Sequence, residues 1–261
     1  MEFIKIESLG DGIEKIFIDK ENSLNALNSQ VLNELKEALE TEAVKKARIL
    51  LIDSAGDKAF VAGADISEMN DFSSVQARNF SKLGHQVFSM FESHRGVTIS
   101  LVNGYTLGGG FELALSTDII LSTKSSQFGL PEVSLGLIPG FGGTQRLSRS
   151  LGTHFAKALT LTGEMVVAEE LFEKGLIFKI FDTKEELLEY SMKLSKKILL
   201  KGPYAVHVAK QTIQKGRNMG VKEALELEQQ EFSLLFGTKE NREGISAFLE
   251  KRKPEFKLKG K

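Results

Sequence analysis

The chain has 261 residues, and its 34 basic and 35 acidic side chains leave a formal net charge of −1, so no global field steers it toward nucleic acid or an anionic membrane surface. It contains no cysteine, which excludes disulfides, thiolate zinc sites and a cysteine nucleophile. Hydrophobic residues make up 41% and charged residues 26%, the balance of a globular protein, and its apolar runs fall far short of the roughly 20 residues of a membrane span.

Met1 leads straight into the strand-like "EFIKIES" with no charged-then-apolar leader, so the expected compartment is the cytoplasm. "FIKIES" (3–8) and "IEKIFI" (13–18), split by Gly10-Asp11-Gly12, predict a hairpin. From Ser29 to Glu42, Val31, Leu32, Leu35, Ala38 and Leu39 share one helical face. "RILLID" (48–53) and "VTISLV" (97–102) read as buried strands flanking a helix over 73–95. "DIILST" (118–123) and "IFKIF" (177–181) add two further strands. The pattern is α/β with a strand-strand-helix rhythm.

Beyond residue 183 the chain reads as helix over 184–200, 204–215, 220–236 and 239–250. The third of these carries Val221, Ala224, Leu225, Phe232, Leu235 and Phe236, more apolar surface than a lone terminal helix hides, so it is expected to pack on the body or on another subunit. The division expected is a core over 1–195 and a helical oligomerisation region over 196–261. The tail "KRKPEFKLKGK" (251–261) is strongly basic: it is either a frayed solvated end or a contact for phosphates.

The glycine clusters fail the familiar phosphate motifs. In "GYTLGGGFELALSTD" Gly108 and Gly110 fit a dinucleotide fingerprint, but Leu113 stands at the third glycine position, and in "GFGGTQR" Gln145 breaks the same pattern. No P-loop occurs, and His85, His94, His154 and His207 are scattered without metal-ligand spacing. Between a strand and a helix, glycines also let backbone N–H groups approach an oxyanion. "AFVAGADI" (59–66) is a second cluster able to present an N–H to the same point. Glu112, just inside the helix that begins near Leu107 or Gly108, is costly to bury unless the helix N-terminus holds it ionised.

"NSLNALNSQVL" (22–32), "AFVAGADISEM" (59–69), "VNGYTLGGGFELALSTDI" (102–119) and "SQFGLPEVSLGLIPGFGGTQRL" (126–147) together resemble the enoyl-CoA hydratase/isomerase, or crotonase, superfamily across essentially the whole chain. The resemblance implies a spiral of strand-strand-helix units, a C-terminal helical trimerisation region and a homotrimer or dimer of trimers. It implies a coenzyme A thioester as substrate, with no separate cofactor and no metal. Position by position, it implies Ala64 and Gly109 as oxyanion-hole N–H donors and Glu112 and Glu132 as catalytic carboxylates. Ala62, Asp65, Ile66 and Ser67 fall where the family wraps CoA. Ser67 stands where Lys is frequent, which puts one phosphate contact in question, and Arg95-Gly96 replaces a usual Lys-Pro, a change expected to loosen that turn.

Water addition across a C2=C3 bond conjugated to a thioester pushes charge onto the thioester oxygen, where two N–H groups stabilise it. One ionised and one protonated carboxyl can activate the water and protonate C2. Glu112 is expected ionised, and Glu132, after Pro131 in an apolar stretch, is expected to have its pKa raised by desolvation; a Glu that merely caps the loop at Gly136 is the plainer alternative. Two carboxylates favour a lyase, enoyl-CoA hydratase, over a double-bond isomerase or a non-catalytic CoA- or RNA-binding member. Met69, Phe72 and the loop around Phe141 are the expected acyl-pocket wall. Fatty-acid β-oxidation, butyrate formation and amino-acid breakdown all remain open as pathways.

Overall fold

The computed structural model describes residues 1–256. Among the described residues ten strands form two sheets: β1 (Ile4–Gly10), β2 (Ile13–Ile18), β3 (Ile49–Ser54), β4 (Ala59–Val61), β5 (Val97–Val102), β6 (Tyr105–Leu107), β7 (Ile119–Thr123), β8 (Gln127–Gly129), β9 (Met165–Val167) and β10 (Lys179–Phe181). The larger sheet has the order β1-β2-β3-β5-β7-β10 and the smaller one β4-β6-β8-β9. The expected hairpin is present: β1 and β2 pair antiparallel, and the turn places Gly10, Asp11 and Gly12 all at positive φ. From β2 to β10 the larger sheet is parallel.

The twelve described helices are α1 (Ser29–Glu40), α2 (Glu42–Lys46), α3 (Ile66–Met69), α4 (Ser74–Ser93), α5 (Gly109–Leu115), α6 (Gly143–Leu151), α7 (Thr153–Thr162), α8 (Ala168–Glu173), α9 (Lys184–Leu199), α10 (Pro203–Gly216), α11 (Val221–Leu235) and α12 (Lys239–Leu249). The strand-strand-helix rhythm is the architecture. In β3-β4-α3-α4, β5-β6-α5 and β7-β8-α6 the first strand of each unit joins the large sheet and the second crosses to the small one.

Local chemistry sets the helix ends. Asn28 accepts the Val31 N–H to start α1, and Ser73 and Gln76 form a reciprocal capping box on α4. The helix expected to run to Glu42 stops at Glu40 because Thr41 leaves the helical region and caps α2 instead.

Strand alternation divides the core in two. Leu50 and Ile52 of β3 face Val31, Phe88 and Phe111, whereas Ile49 and Leu51 face Leu187 and Leu194 of α9. Each such fully buried side chain contributes roughly 1.5–3 kcal/mol. The division expected at residues 195 and 196 falls within α9. The Arg95-Gly96 turn is firmly held rather than loosened: Gly96 donates its N–H to His94 Nδ1 at 3.1 Å and accepts from Lys210 Nζ at 3.0 Å. Further on, α11 has no buried residue. Of the tail, Arg252 pairs with Glu243 and Glu250, so its first part folds back on α12 rather than fraying; residues 257–261 lie outside the described residues.

Candidate active site

The site forms where α5 leaves the small sheet. Gly108, the residue before α5, has φ 47° and ψ −121°, a conformation open essentially only to glycine. Two residues on, a Cβ on Gly110 would sit 2.0 Å from the Val61 carbonyl oxygen; the absent side chain lets α5 press directly against β4. Every residue of α5 is buried. Glu112, in its first turn, is 1% exposed.

Glu112 Oε1 accepts the Phe141 N–H at 2.8 Å and the Gly143 N–H at 2.6 Å. Burial nevertheless pushes its pKa up to about 7; these two donors oppose the rise and the nearby Glu132 charge adds to it. The helix N-terminus therefore does not hold Glu112 at an ordinary low carboxylate pKa, and both its forms are accessible near neutral pH. A seven-residue helix enclosed by apolar side chains offers too little compensating field against the desolvation of a carboxylate.

Glu132 sits in the short 3-10 turn Pro131–Leu135. Its backbone carbonyl, not its side chain, caps that turn by accepting the Gly136 and Leu137 N–H groups. The side chain is thereby free to face the cavity. Burial raises its pKa as expected, and among the described residues its buried Oε2 has no hydrogen-bond partner. Neither Glu112 nor Glu132 takes part in a salt bridge among the described residues.

The two glycine clusters converge. Leu27 forms a parallel bridge with Ala64, donating to the Gly63 carbonyl and accepting from the Asp65 N–H. In that pattern the Ala64 N–H points to the opposite edge, and the Gly109 N–H opens α5. Neither donates a backbone hydrogen bond among the described turns, loops and caps. Ala64, Gly109, Glu112 and Glu132 all line one cavity of about 250 Å³.

Of the other expected residues, Ala62, Ile66, Met69 and Phe141 line this cavity. Phe72 does not; it stands one layer behind, edge-on to Phe80 at 5.5 Å between ring centroids. Asp65 accepts the backbone N–H and the hydroxyl of Ser67 to cap α3, and pairs with Lys20 at 2.7 Å. Sequence reasoning missed the apolar rim of Leu135, Leu137 and Ile138, which is largely exposed. It also missed the N–H pair of Phe141 and Gly143. The signal was in "GFGGTQR": this glycine turn does cradle an anion, but the anion is Glu112 of the same chain.

A buried and a half-buried carboxyl with two outward N–H groups on one apolar cavity define the class, an α/β enzyme with acid–base groups. The chain belongs to the enoyl-CoA hydratase/isomerase family, whose family profile matches residues 8–259. It is 42% identical over 242 residues to a crotonyl-CoA hydratase of Syntrophomonas wolfei, covering 92% of this chain and 93% of the relative. It is 40% identical to a short-chain-enoyl-CoA hydratase of Clostridium acetobutylicum, covering 92% of each. The fold superimposes on an enoyl-CoA hydratase from Bacillus anthracis with a TM-score of 0.91 and 34% identity, covering 98% and 99% of the two chains.

Proposed function

We propose that this protein is an enoyl-CoA hydratase that adds water reversibly to a trans-2-enoyl-CoA to give the 3-hydroxyacyl-CoA. The observation that carries the reading is the pair of carboxyls, buried Glu112 and half-buried Glu132, facing the cavity shared with the Ala64 and Gly109 N–H groups. The relatives' names support the same activity.

In this reading the thioester oxygen accepts from Ala64 and Gly109. Water bonds to C3 through its oxygen while a carboxylate takes its proton, and the electrons of the C2=C3 bond move toward the thioester oxygen. The other carboxyl delivers a proton to C2. The two N–H donors stabilise the enolate-like transition state, each worth roughly 3–4 kcal/mol. Burial raises the pKa of both carboxyls and the Glu132 charge raises that of Glu112 further, which favours the one-proton state this chemistry needs. CoA is part of the substrate, and the stretch Ala62, Asp65, Ile66 and Ser67 is the proposed contact for it, with Asp65 and Ser67 holding α3 in shape. A role in fatty-acid metabolism in the cytoplasm fits this activity; among the described residues no helix is long and apolar enough to cross a membrane.

The exposed apolar face of α11 and α12 supports assembly into a trimer or dimer of trimers. The basic tail is then a candidate for CoA phosphates, and deleting 251–261 should weaken CoA affinity, more so at low salt.

Purified protein incubated with crotonyl-CoA should remove the enoyl-thioester absorbance and yield 3-hydroxybutyryl-CoA. The same preparation given a 3-enoyl-CoA separates hydration from double-bond isomerisation. Absence of turnover on a panel of enoyl-CoA chain lengths would overturn the reading.

A further inference from the structure

Outside the cavity, one charged cluster is built more tightly than a surface needs. Arg146, in the first turns of α6, meets Glu92 near the end of α4 in a two-point pair, Nε to Oε1 at 2.9 Å and Nη2 to Oε2 at 2.8 Å. The two side chains are only 12% and 22% exposed. Gln214 of α10 donates to the same Glu92 Oε1 at 3.2 Å. The third guanidinium nitrogen, Nη1, turns away from Glu92 and donates to the Phe141 carbonyl oxygen at 2.7 Å.

That carbonyl belongs to one of the two peptide groups flanking Phe141. The other supplies the N–H that Glu112 Oε1 accepts at 2.8 Å. Phe141 is thus held between a catalytic-site carboxyl on one side and a buried ion pair on the other. Its ring also lines the cavity. A planar guanidinium has enough donors in fixed directions to grip a carboxylate with two and a carbonyl with a third; a lysine ammonium cannot reproduce that fork.

We infer that Arg146, clamped by Glu92, is a positioning residue for the reaction: it fixes the loop 140–143 and through it the orientation of the Glu112 carboxyl in the cavity. The inference rests on the proposed role of Glu112. Arg146 touches neither the substrate space nor the reacting atoms and does not line the cavity. Its charge, and the two N–H groups it steadies, all favour the ionised form of Glu112, so its loss acts on protonation as well as geometry. His85 lies beside it, its own pKa lowered by burial and then by the Arg146 charge.

The test is a double-mutant cycle on crotonyl-CoA hydration with Arg146→Gln, Glu112→Gln and the combined variant, with kcat, KM and the kcat pH profile measured for each. Arg146→Gln should lower kcat roughly 10- to 100-fold, the scale of a small misplacement of a reacting group, with KM changed less than about threefold. The pH-profile limb belonging to Glu112 should move to higher pH. Arg146→Lys should recover only part of the rate. Added to Glu112→Gln, the Arg146 change should cost little more, because it acts through the group already removed.

An equal fold-loss in both backgrounds, or an unmoved pH profile, would overturn the inference and leave Arg146 a structural residue. A Glu112→Gln variant of near wild-type rate would instead refute the role of Glu112 itself, whatever Arg146 does. If Arg146→Gln does not fold, Glu92→Gln replaces it in the same cycle. That change keeps the shape of the clamp but leaves the Arg146 charge uncompensated, so the Glu112 limb should move to lower pH instead; an equal fold-loss in both backgrounds or an unmoved limb would again overturn the inference.

Discussion

Glu112 Oε1 accepts the Gly143 N–H at 2.6 Å across 31 residues of sequence, tying the start of α5 to the start of α6. A carboxylate held by two backbone donors would ordinarily titrate low. Here burial outweighs both donors and pushes the carboxyl's pKa up to about 7. The site is therefore held in a state that costs stability in order to keep a proton available near neutral pH.

That balance predicts a pH-dependent stability. Glu112 titrates at about 7 when folded against an ordinary 4.5, so between those values the native state holds more proton than the unfolded chain. Stability attributable to this group is full at lower pH and is lost as pH rises through about 7. At roughly 1.4 kcal/mol per pKa unit, the loss is on the order of 3–4 kcal/mol. Glu112→Gln keeps an oxygen for Phe141 and Gly143 without the charge. Its Tm should exceed that of the wild type by several degrees near pH 8, with a much smaller difference near pH 5. Calorimetry at the two pH values checks it; equal differences would mean the carboxyl is not protonated in the fold.

Activity should move the opposite way. Glu112→Gln and Glu132→Gln should each cut the hydration rate at least about a hundredfold, the low end for general acid–base groups. Crotonyl-CoA binding should survive, because the donors at Ala64 and Gly109 are backbone groups. The double variant should lose far less than the product of the single losses. Single-turnover rates together with equilibrium binding make the measurement. A single Gln variant of near wild-type rate would remove that carboxyl from the mechanism.

Gly108 offers a probe of Glu132 that leaves both carboxylates in the sequence. A Cβ there would stand 2.8 Å from Glu132 Oε1, at a φ of 47°. Gly108→Ala should both strain the entry to α5 and displace the Glu132 carboxyl, lowering kcat at least about tenfold and lowering Tm. Unfolding scans and initial rates report the two effects separately. A drop in Tm with kcat intact would show that the Glu132 position is not critical.

How much of this was legible follows from length and contact range. The five longer strands β1, β2, β3, β5 and β7, and the helices α1, α4 and α9 to α12, announce themselves by period. The smaller sheet does not, since β4, β6, β8 and β9 have three residues each, too few to show an alternation. It is this sheet that delivers Gly108 and Ala64 to the site. Glu112 was legible as a candidate from its local glycine-rich motif, and Glu132 through the resemblance its motif carries. The Phe141 and Gly143 donors were not, because a glycine turn shows that an anion can be held without showing which one. The rise of the Glu112 pKa was not legible, because first-turn position is visible in sequence and complete burial of α5 is not.

The last prediction concerns assembly. Val221 is 80% exposed, Leu225 60%, Phe232 62% and Phe248 83%, and Phe232 stacks edge-on with Phe236 at 5.1 Å between ring centroids, with no core beneath. Each such side chain left in water forgoes roughly 1.5–3 kcal/mol. Helices this apolar are stabilised in solution when a second copy covers them, and α11 packs on its own body chiefly through α10. The wild type should therefore run as an oligomer by light scattering. Leu225→Glu combined with Phe232→Glu should produce a smaller species, since each places a charge in the covered surface at a cost that grows with burial. Neither side chain touches the core, so the variant should keep the helical content of the wild type by circular dichroism. A wild-type protein that is monomeric at micromolar concentration, or a variant whose mass is unchanged, would remove α11 from the interface.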